Sequence, residues 1–593
     1  MTGNTMQVQV FDIMLGIKAP FLFAGGEPSQ FGIDIAHVRD NRRSLMIPDT
    51  QVKGVIRHAW TYLEGEGSRG PMAVEDAFGV EQQSDGSDRG RLVFTNLVAE
   101  TSSTASRTTR VSIDDETGAA ADGHLLVVEE VAKPGEIVQF HGQVRAILHS
   151  DEDSSGVADF LKLSMTCVVS MGRFKTVGYG ELAEFRIEIV KQADLQVNPA
   201  LTANSTIFEF SFGLDKSLLV DVSRPDSNTL VGQEVIPGGV LKGALANKLR
   251  SLGMDPVEGA LKRVLSKLRI SHANPVPVDQ EEPKGTGTAR RDSCVVQLGD
   301  DYQVWGPGFS MEPSSGGELC GFGPDWKWSP RDWLDRDVRT RVKIAQETGA
   351  SEPGALFTQS AIWPEVNCKP ISWRAQISWP GDPSDADYAI FLDCVECLRG
   401  GLFSVGKTNA MTTNLELCAS SAQDVIASAS KFAVLLKTHA LFLRECHLAD
   451  QRIYTRALQA YWTAVSDGLL TISREPDLPL KNIDGSLDFY CQQEMRADHL
   501  ALRFRFFGED VIEPFVLTRP GSVFRLETDH PDAAQARLME LSRNGLPVAS
   551  WDDTSDDGLG KLTLLDEPDY RLCPFGPQNG YGQIAVVEAE GGT

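Results

Sequence analysis

No run of about eighteen apolar residues occurs in the chain, so no membrane-spanning helix is expected. The opening stretch MTGNTMQVQVFD lacks a basic segment followed by an apolar core, so no signal peptide is predicted and the expected location is the cytoplasm. Cysteine is sparse, with 10 in 593 residues, too thin for a disulfide framework. Cys394 and Cys397 form the one close pair, and neither a second pair nor a histidine at ligand spacing accompanies them. The pair sits in an apolar, helix-like stretch, so buried free thiols are the better reading and zinc the weaker one. Positive charge is also short. The 56 Lys and Arg are outnumbered by 82 Asp and Glu, giving a net charge of −26 and a pI near 4.8. That balance argues against a nucleic-acid partner, which leaves a basic footprint. The remaining composition is ordinary for a globular protein, with 41% hydrophobic and 23% charged residues. The length suggests roughly three or four domains.

The basic residues that exist are concentrated. HVRDNRRSLMIPDTQVKGVIRH (37–58) holds Arg39, Arg42, Arg43, Lys53 and Arg57 against Asp40 and Asp49. Much of the acid lies in loop-like stretches such as 74–88 and 550–560. A solvated face is the plain reading of such a basic cluster.

The chain repeats itself, and repeats outrank isolated motifs. IPDTQVKGVIRHAWTYL, from Ile47, resembles IPGGVLKGALANKLRSLG, from Ile236; Lys53-Gly54 and Lys242-Gly243 correspond. In both, Pro ends a strand and a helix follows. A helix N-terminus beside a Lys is a ready anion site, although a plain strand–turn–helix connector is the simpler alternative. The ends of the two units also match. Arg145 and Gly172 map onto Arg374 and Gly401, each pair in a strand, loop, apolar helix, glycine loop and alternating strand. The second copy carries extra residues, expected within 280–365.

This repeat decides the reading of GLFSVGKT (401–408), which matches the P-loop pattern G-x-x-x-x-G-K-[ST]. A P-loop needs a strand before it and a helix after it. Here DADYAIFLDCVECLRG reads as helix before it and TTNLEL as strand after it. The counterpart GRFKTVGYG lacks G-K-[ST] altogether, so a glycine-rich helix-to-strand connection is expected instead. A third echo lies further on: NGYGQIAVVE (579–588) resembles VGYGELAEFR, and GLGKLTLLD (558–566) and TRPGSVFRLE (518–527) also feed strands. Residues 420–469 read as helical, a connector or cap. The expected division is 1–195 and 200–418 as two domains, with 419–593 holding the helical connector and part of a third unit.

With these segments in order, the chain resembles the RAMP superfamily of CRISPR-associated proteins, specifically the backbone subunits of type III effectors. It is Csm/Cmr-like, with subtype III-D one candidate. KAPFLFAGG (18–26), IPDTQVKGVIRHAW, RTTRVSIDDETGAAADGHLLVVEEVAKPGEIVQFHGQV (107–144) and the glycine loop at 178–180 carry the resemblance. The second segment is similar to the family's Ile-Pro-x-Ser-x-Lys-Gly-x-x-Arg, and the third to its Arg-x-x-Val-x-Ile-Asp-x-x-Thr-Gly stretch and hairpin. The resemblance implies an α+β fold of tandem ferredoxin-like (RRM-like) domains with inserted hairpins, a platform used for single-stranded RNA. It implies CRISPR RNA, target RNA and other type III effector subunits as partners, and no membrane.

The resemblance also assigns residues. Arg42, Arg43, Lys53, Arg57, Arg107, Arg110, Arg173, Lys175, Lys242, Lys248 and Lys407 become candidate RNA contacts. Asp34, thirteen residues before Ile47, aligns with the family's catalytic Asp. It would hold a divalent metal, Mg2+ by preference, or position the attacking 2′-hydroxyl, with His37 and Arg39 close by. A loop-capping carboxylate and a surface-loop histidine are the plainer readings of Asp34 and His37. In the second copy Asp221 and Asp226 are both available and neither aligns. A thumb-like hairpin is expected at 107–144, with 290–308 and Trp305 as its second-copy counterpart.

The leading expectation is therefore a guide-RNA-binding subunit that cuts target RNA at Asp34. A non-catalytic scaffold of the same complex is the second reading. A stand-alone guide-processing endoribonuclease is the third, using a His general base; His37 and His58 are the histidines near the basic patch, and nothing pairs them. A nucleotide-hydrolysing switch through Lys407 is the fourth. The acidic total requires that acid face solvent or neighbours while one groove is basic.

Overall fold

The computed structural model describes residues 6–26, 32–79, 90–99, 106–113, 116–149, 152–190, 205–220, 228–276, 294–298, 301–305, 334–344, 351–420, 426–473, 489–496, 514–552, 558–569 and 572–588. Its first sheet grows from the strand Met6–Lys18, in which Phe11, Ile13, Leu15 and Ile17 are buried on a period of two. That strand pairs antiparallel with Ile137–His149 on one side and Glu181–Ile189 on the other. Leu92–Phe94 and Leu97–Ala99 pair with the far edge of Ile137–His149. The helix Asp49–Gly65 buries Val52, Ile56, Ala59, Trp60 and Leu63, the spacing of a single helical face. Ser154–Thr166 packs beside it, capped by Asp153, whose carboxylate accepts from the Ser155 N–H. Strand, helix, strand, strand, helix, strand, with the first strand central and the last at one edge, is the ferredoxin-like order.

The same order recurs twice. Ile207–Leu214 lies between Ser372–Ser378 and Thr412–Ala419, with Arg269–Ile270 and Asn274–Val276 beyond Ser372–Ser378. Helices Gly238–Ser251 and Tyr388–Arg399 pack on one another in this unit. Lys431–Leu436 lies between Val523–Glu527 and Ile584–Glu588, with Thr471–Ile472 and Phe489–Tyr490 beyond Val523–Glu527. Its helices are Gln451–Val465 and Pro531–Asn544. Each unit has its own buried core, around Trp60, Trp373 and Trp462 respectively.

The helical reading of 420–469 is thus corrected. Lys431–Leu436 and Ala440–Leu443 are strands, and among the described residues of this stretch the α-helix is confined to Gln451–Val465. KFAVLL and ALFL are short apolar runs, and periodicity alone cannot tell a buried strand from a helical turn.

The repeat seen in sequence is a repeat of geometry. Pro48 and Pro237 share φ −58° and ψ 139°, each opening its helix. Gly172 and Gly401 both have positive φ, at 90° and 82°. Lys175–Val177 and Pro577–Asn579 are single 3-10 turns closed by Gly178 and Gly580 in the left-handed region, at φ 86° and 87°. Gly180 follows at φ 73°, where a Cβ would stand 1.8 Å from the Met171 carbonyl oxygen. GLFSVGKT runs from the end of helix Tyr388–Arg399 toward strand Thr412–Ala419 with no helix after it, and the Lys407 N–H donates to Leu219 O. It is not a P-loop.

A hairpin is inserted before the third strand of every unit: Ser106–Ile113 with Ala120–Glu130, Arg336–Ile344 with Ser351–Ile362, and Gln493–Arg496 with Phe515–Thr518. Cys294–Leu298 and Asp301–Trp305 also pair. The hairpin in the thumb's place is nevertheless the later one. Thr229–Val231 runs parallel to Thr358–Ser360, as Ile35 runs parallel to Val128 in the first unit. Cys394 is buried and Cys397 half-buried, both as free thiols, and burial pushes the Cys394 thiol up to about 12.

Candidate nucleic-acid interface

The loop after the first strand is sewn to the first hairpin. Asp34 N–H donates to Val127 O at 2.9 Å, and Val127 N–H donates to Asp34 Oδ2 at 2.7 Å. Asp34 is exposed, and one carboxylate oxygen caps hairpin backbone while the other retains acceptor capacity. His37 and Arg39 turn the other way, onto Glu129 of the hairpin. The His37 backbone N–H donates to Glu129 Oε2 at 2.8 Å, and Arg39 donates to Glu129 Oε1 at 2.9 Å. The surface-loop and catalytic readings of His37 are both corrected. It is 2% exposed, its ring set edge-on to Phe21 at 5.4 Å. Burial lowers it to about 4, with the Arg39 charge acting in the same direction and Glu129 against it, so it is neutral near pH 7. Arg39 is likewise committed to a fully buried carboxylate rather than to a scissile phosphate. Glu129 was missed in the sequence because a Glu at the end of an exposed-looking hairpin gives no sign of burial. Asp221 and Asp226 lie outside the described residues.

Several predicted RNA contacts are spent on the fold. Arg42 donates twice to Glu365 Oε2 of the second unit, at 3.1 and 2.7 Å. Lys242 donates to Leu268 O at 2.7 Å, and burial lowers it to about 7. Lys248 donates to Cys397 O and Gly401 O, both at 2.7 Å, closing the carbonyl end of helix Tyr388–Arg399. The Lys242 and Lys248 assignments are corrected, since each buried ammonium answers backbone carbonyls inside the chain; Arg42 stays exposed beside its ion pair with Glu365. Arg43, with φ 64°, is exposed, as are Arg107, Arg173 and Lys175. Arg110 stacks over Phe174 at 4.5 Å and Tyr179 at 5.0 Å, joining the hairpin root to the glycine loop. His58 is exposed on its helix, away from any paired histidine in the described residues.

Helix N-termini are not open anion sites here either. At the first, Asp49 supplies its own carboxylate, taking the Thr50 N–H at 2.8 Å. At the second, Gly238 N–H donates to His272 Nδ1 at 3.1 Å, and Asn579 of the third unit packs close.

The concentration of positive charge lies instead in a cleft of about 200 Å³ between the first and second units. Its lining carries Lys53, Lys216, Arg339, Arg341 and Lys407 against the carboxylates Asp49 and Asp337. Asp337 is neutralised locally, holding Arg339 at 2.7 Å and accepting from Ser217 Oγ at 2.6 Å. Burial lowers the Lys53 ammonium, and the charges of Lys216 and Arg57 lower it further. Burial lowers Arg341 too, and among the described residues its Nε finds no hydrogen-bond partner, nor does Thr408 Oγ1. Buried donors without acceptors, among cations that repel each other, describe a place short of an anion. Lys53 and Lys407 were foreseen in the sequence. Arg339 and Arg341 were not, although DVRTRVK (337–343) puts acid and base on alternate positions of one strand face.

Among the described residues no three His, Cys, Asp or Glu side chains gather to hold a metal. Mg2+ does not require such a cage, since one or two carboxylates with substrate phosphates suffice, and an exposed Asp34 fits that mode.

Fold and cleft together define a tandem ferredoxin-like protein with an anion-seeking junction. A family model described as the RAMP superfamily matches residues 17–183 and 222–385, more than half of the chain, and the chain belongs to that superfamily. No curated protein matches it. Among solved structures it is similar to a chain of the "Cryo-EM structure of the Type III-B Cmr-beta bound to cognate target RNA", at 17% identity and a TM-score of 0.24. The match covers 31% of this chain and 61% of that one.

Proposed function

We propose that the protein is an RNA-binding backbone subunit of a type III CRISPR effector, and that its first unit cuts target RNA at Asp34. One observation carries the RNA reading: five cations and two buried donors that nothing among the described residues answers meet in one cleft of an otherwise acidic RAMP protein. A phosphate backbone supplies the missing acceptors without demanding base recognition. The guide and target RNAs, and the neighbouring effector subunits, are the partners this reading names.

For cleavage, Asp34 is the carboxylate that faces solvent beside the hairpin. It would accept the proton of a 2′-hydroxyl as O2′ bonds to the adjacent phosphorus and the P–O5′ bond breaks. The departing O5′ takes a proton from water, giving a 2′,3′-cyclic phosphate and a 5′-hydroxyl. Mg2+, when bound, neutralises charge on the phosphate oxygens. A second reading, a non-catalytic scaffold, is favoured by the ties of His37 and Arg39 to Glu129. Asp34→Ala separates the two. Loss of cleavage with RNA affinity retained supports the nuclease; cleavage persisting in Asp34→Ala removes it. Lys53→Glu with Arg341→Glu tests the cleft, and RNA binding unchanged in that variant overturns the RNA reading.

A further inference from the structure

The two carboxylates of the cleft between the first and second units are already taken. Asp49 Oδ2 holds Lys216 Nζ at 2.9 Å, and Asp49 Oδ1 accepts the Thr50 N–H. Asp337 holds Arg339 Nε at 2.7 Å and accepts from Ser217 Oγ at 2.6 Å. Lys53 and Arg341 therefore have no ion pair among the described residues. Arg341 Nε and Thr408 Oγ1 find no hydrogen-bond partner there either. These three side chains come from three elements and from both units. Lys53 stands on helix Asp49–Gly65 of the first unit, Arg341 on the hairpin strand Arg336–Ile344 of the second, and Thr408 ends GLFSVGKT. That loop is no P-loop, yet it is held firmly. Val405 and Ala410 exchange backbone hydrogen bonds at 2.9 and 3.0 Å, closing a turn over 406–409. Gly406 has φ 68°, and a Cβ on it would stand 2.8 Å from Leu219 O. Lys407, Thr408 and Asn409 of this turn line the cleft.

We infer that one phosphate group of the bound strand seats between Lys53, Arg341 and Thr408 and staples the second unit to the first. The inference rests on the reading of this cleft as an RNA site, and it adds a linkage: strand binding and the docking of the two units strengthen each other. A phosphodiester offers two non-bridging oxygens, whose lone pairs suffice for a forked guanidinium, an ammonium and a hydroxyl. The group is then gripped from both units at once. Without it, docking sets Lys216 of the second unit against Lys53 of the first, and that repulsion adds to burial in lowering the Lys53 ammonium. An anion placed among these cations replaces repulsion by attraction. A ligand that binds only the docked arrangement stabilises it by mass action. Reciprocally, whatever loosens the docking weakens the strand. Thr408 thereby has a role of its own. It supplies a fixed neutral donor beside two cations, so it adds direction to the site without adding charge.

Hydrogen exchange of the full, unmutated chain reads the docking free of any folding defect. Segments 92–96 of the first unit and 403–411 of the second meet through Val93, Phe403 and Met411. With a short oligouridylate at about a hundred times its Kd, amides there that open with the junction are expected to slow together by about a hundredfold. Oligouridylate binding with both segments exchanging as before overturns the inference and leaves the RNA reading standing. Inorganic phosphate added alone separates the sources. Slowing that needs the oligouridylate assigns the staple to the strand. Slowing by free phosphate in a chain that binds no oligouridylate keeps the staple and overturns the RNA reading. Thr408→Val keeps the side chain's shape and removes its hydroxyl. It is expected to weaken oligouridylate binding about tenfold, the loss of one hydrogen bond to a charged group. Its salt slope should match the wild type's, because a hydroxyl neutralises no phosphate charge. Thr408→Ser should restore the affinity. Wild-type affinity in Thr408→Val, or no recovery in Thr408→Ser, overturns the placement.

Discussion

Lys216 Nζ lies 2.9 Å from Asp49 Oδ2 across the junction of the first and second units, and donates also to Phe94 O at 3.0 Å. Its neighbour in sequence does the opposite: Asp215 Oδ2 takes Arg145 NH1 of the first unit at 2.8 Å. Two adjacent residues of opposite charge therefore enter the first unit and each finds its counter-ion. A slip of one residue would place like charges together, so the pairings fix how the units dock. Val93, Ile147, Phe403 and Met411 form a small apolar core beside them.

Breaking this lock has a pH signature. Lys216→Ala leaves Asp49 largely buried without its partner, and a loss of about 3–5 kcal/mol is expected in denaturant unfolding at pH 7. Burial pushes the Asp49 carboxyl up, but Lys216, Arg341 and Arg339 outweigh it, so its folded pKa is depressed. A depressed carboxylate contributes stability above its unfolded value of about 3.9, lost as pH falls through the lower folded value. The Lys216→Ala penalty should therefore shrink in strong acid. A penalty as large there as at pH 7 would contradict the pairing.

RNA affinity should separate cleft cations from structural ones. Lys53→Ala and Arg341→Ala are each expected to lower the salt slope of single-stranded RNA binding by about 0.7. Lys248→Ala should leave that slope alone and instead lower stability, because its ammonium closes carbonyls at Cys397 and Gly401. Titrations at several salt concentrations, beside melting curves, read both. Equal slope losses in all three variants would mean that the cleft is not the site.

Repeats and turn chemistry were the legible part of the sequence. The Ile-Pro helix starts and the glycine loops were found because Pro and Gly impose backbone geometry wherever they stand. The order of helix and strand around Gly401–Thr408 was enough to remove the P-loop. Side-chain destinations were not legible. Lys242 looks like Lys53 in sequence, yet it bonds to Leu268 O while Lys53 lines the cleft. Burial of Glu129 and His37 depends on a hairpin some ninety residues further along the chain folding over the loop. The strands at Lys431–Leu436 and Ala440–Leu443 were hidden because their sheet partners lie far along the chain.

The glycines of the two Ile-Pro segments should divide by what surrounds them. A Cβ at Gly238 would stand 1.9 Å from Ile270 O and 2.7 Å from Asn579 O, so Gly238→Ala is expected to strain the junction with the third unit. At Gly54 and Gly243 a Cβ meets nothing within 4 Å. Both lie inside helices, where Gly→Ala should stabilise by about 0.5–1 kcal/mol. Thermal melts of the three variants check this. If Gly54→Ala also weakens RNA binding while raising stability, that open spot beside Lys53 is where the strand backbone passes.

His37 gives the last prediction, because a neutral buried histidine must show itself in acid. Its folded pKa of about 4 lies below its unfolded value of about 6.5. Below pH 6.5 the unfolded chain takes up a proton that the folded chain refuses. Stability is thus expected to fall between about pH 6.5 and pH 4, and His37→Leu removes that component. The variant should therefore gain on the wild type when unfolding midpoints at pH 5 are compared with those at pH 7.5. Any RNA cleavage at Asp34 should keep its pH profile in His37→Leu, since the imidazole sits behind Phe21 and Glu129 rather than at the surface. A constant stability difference at both pH values, or a cleavage profile that loses an inflection near pH 6–7, would return His37 to the catalytic loop.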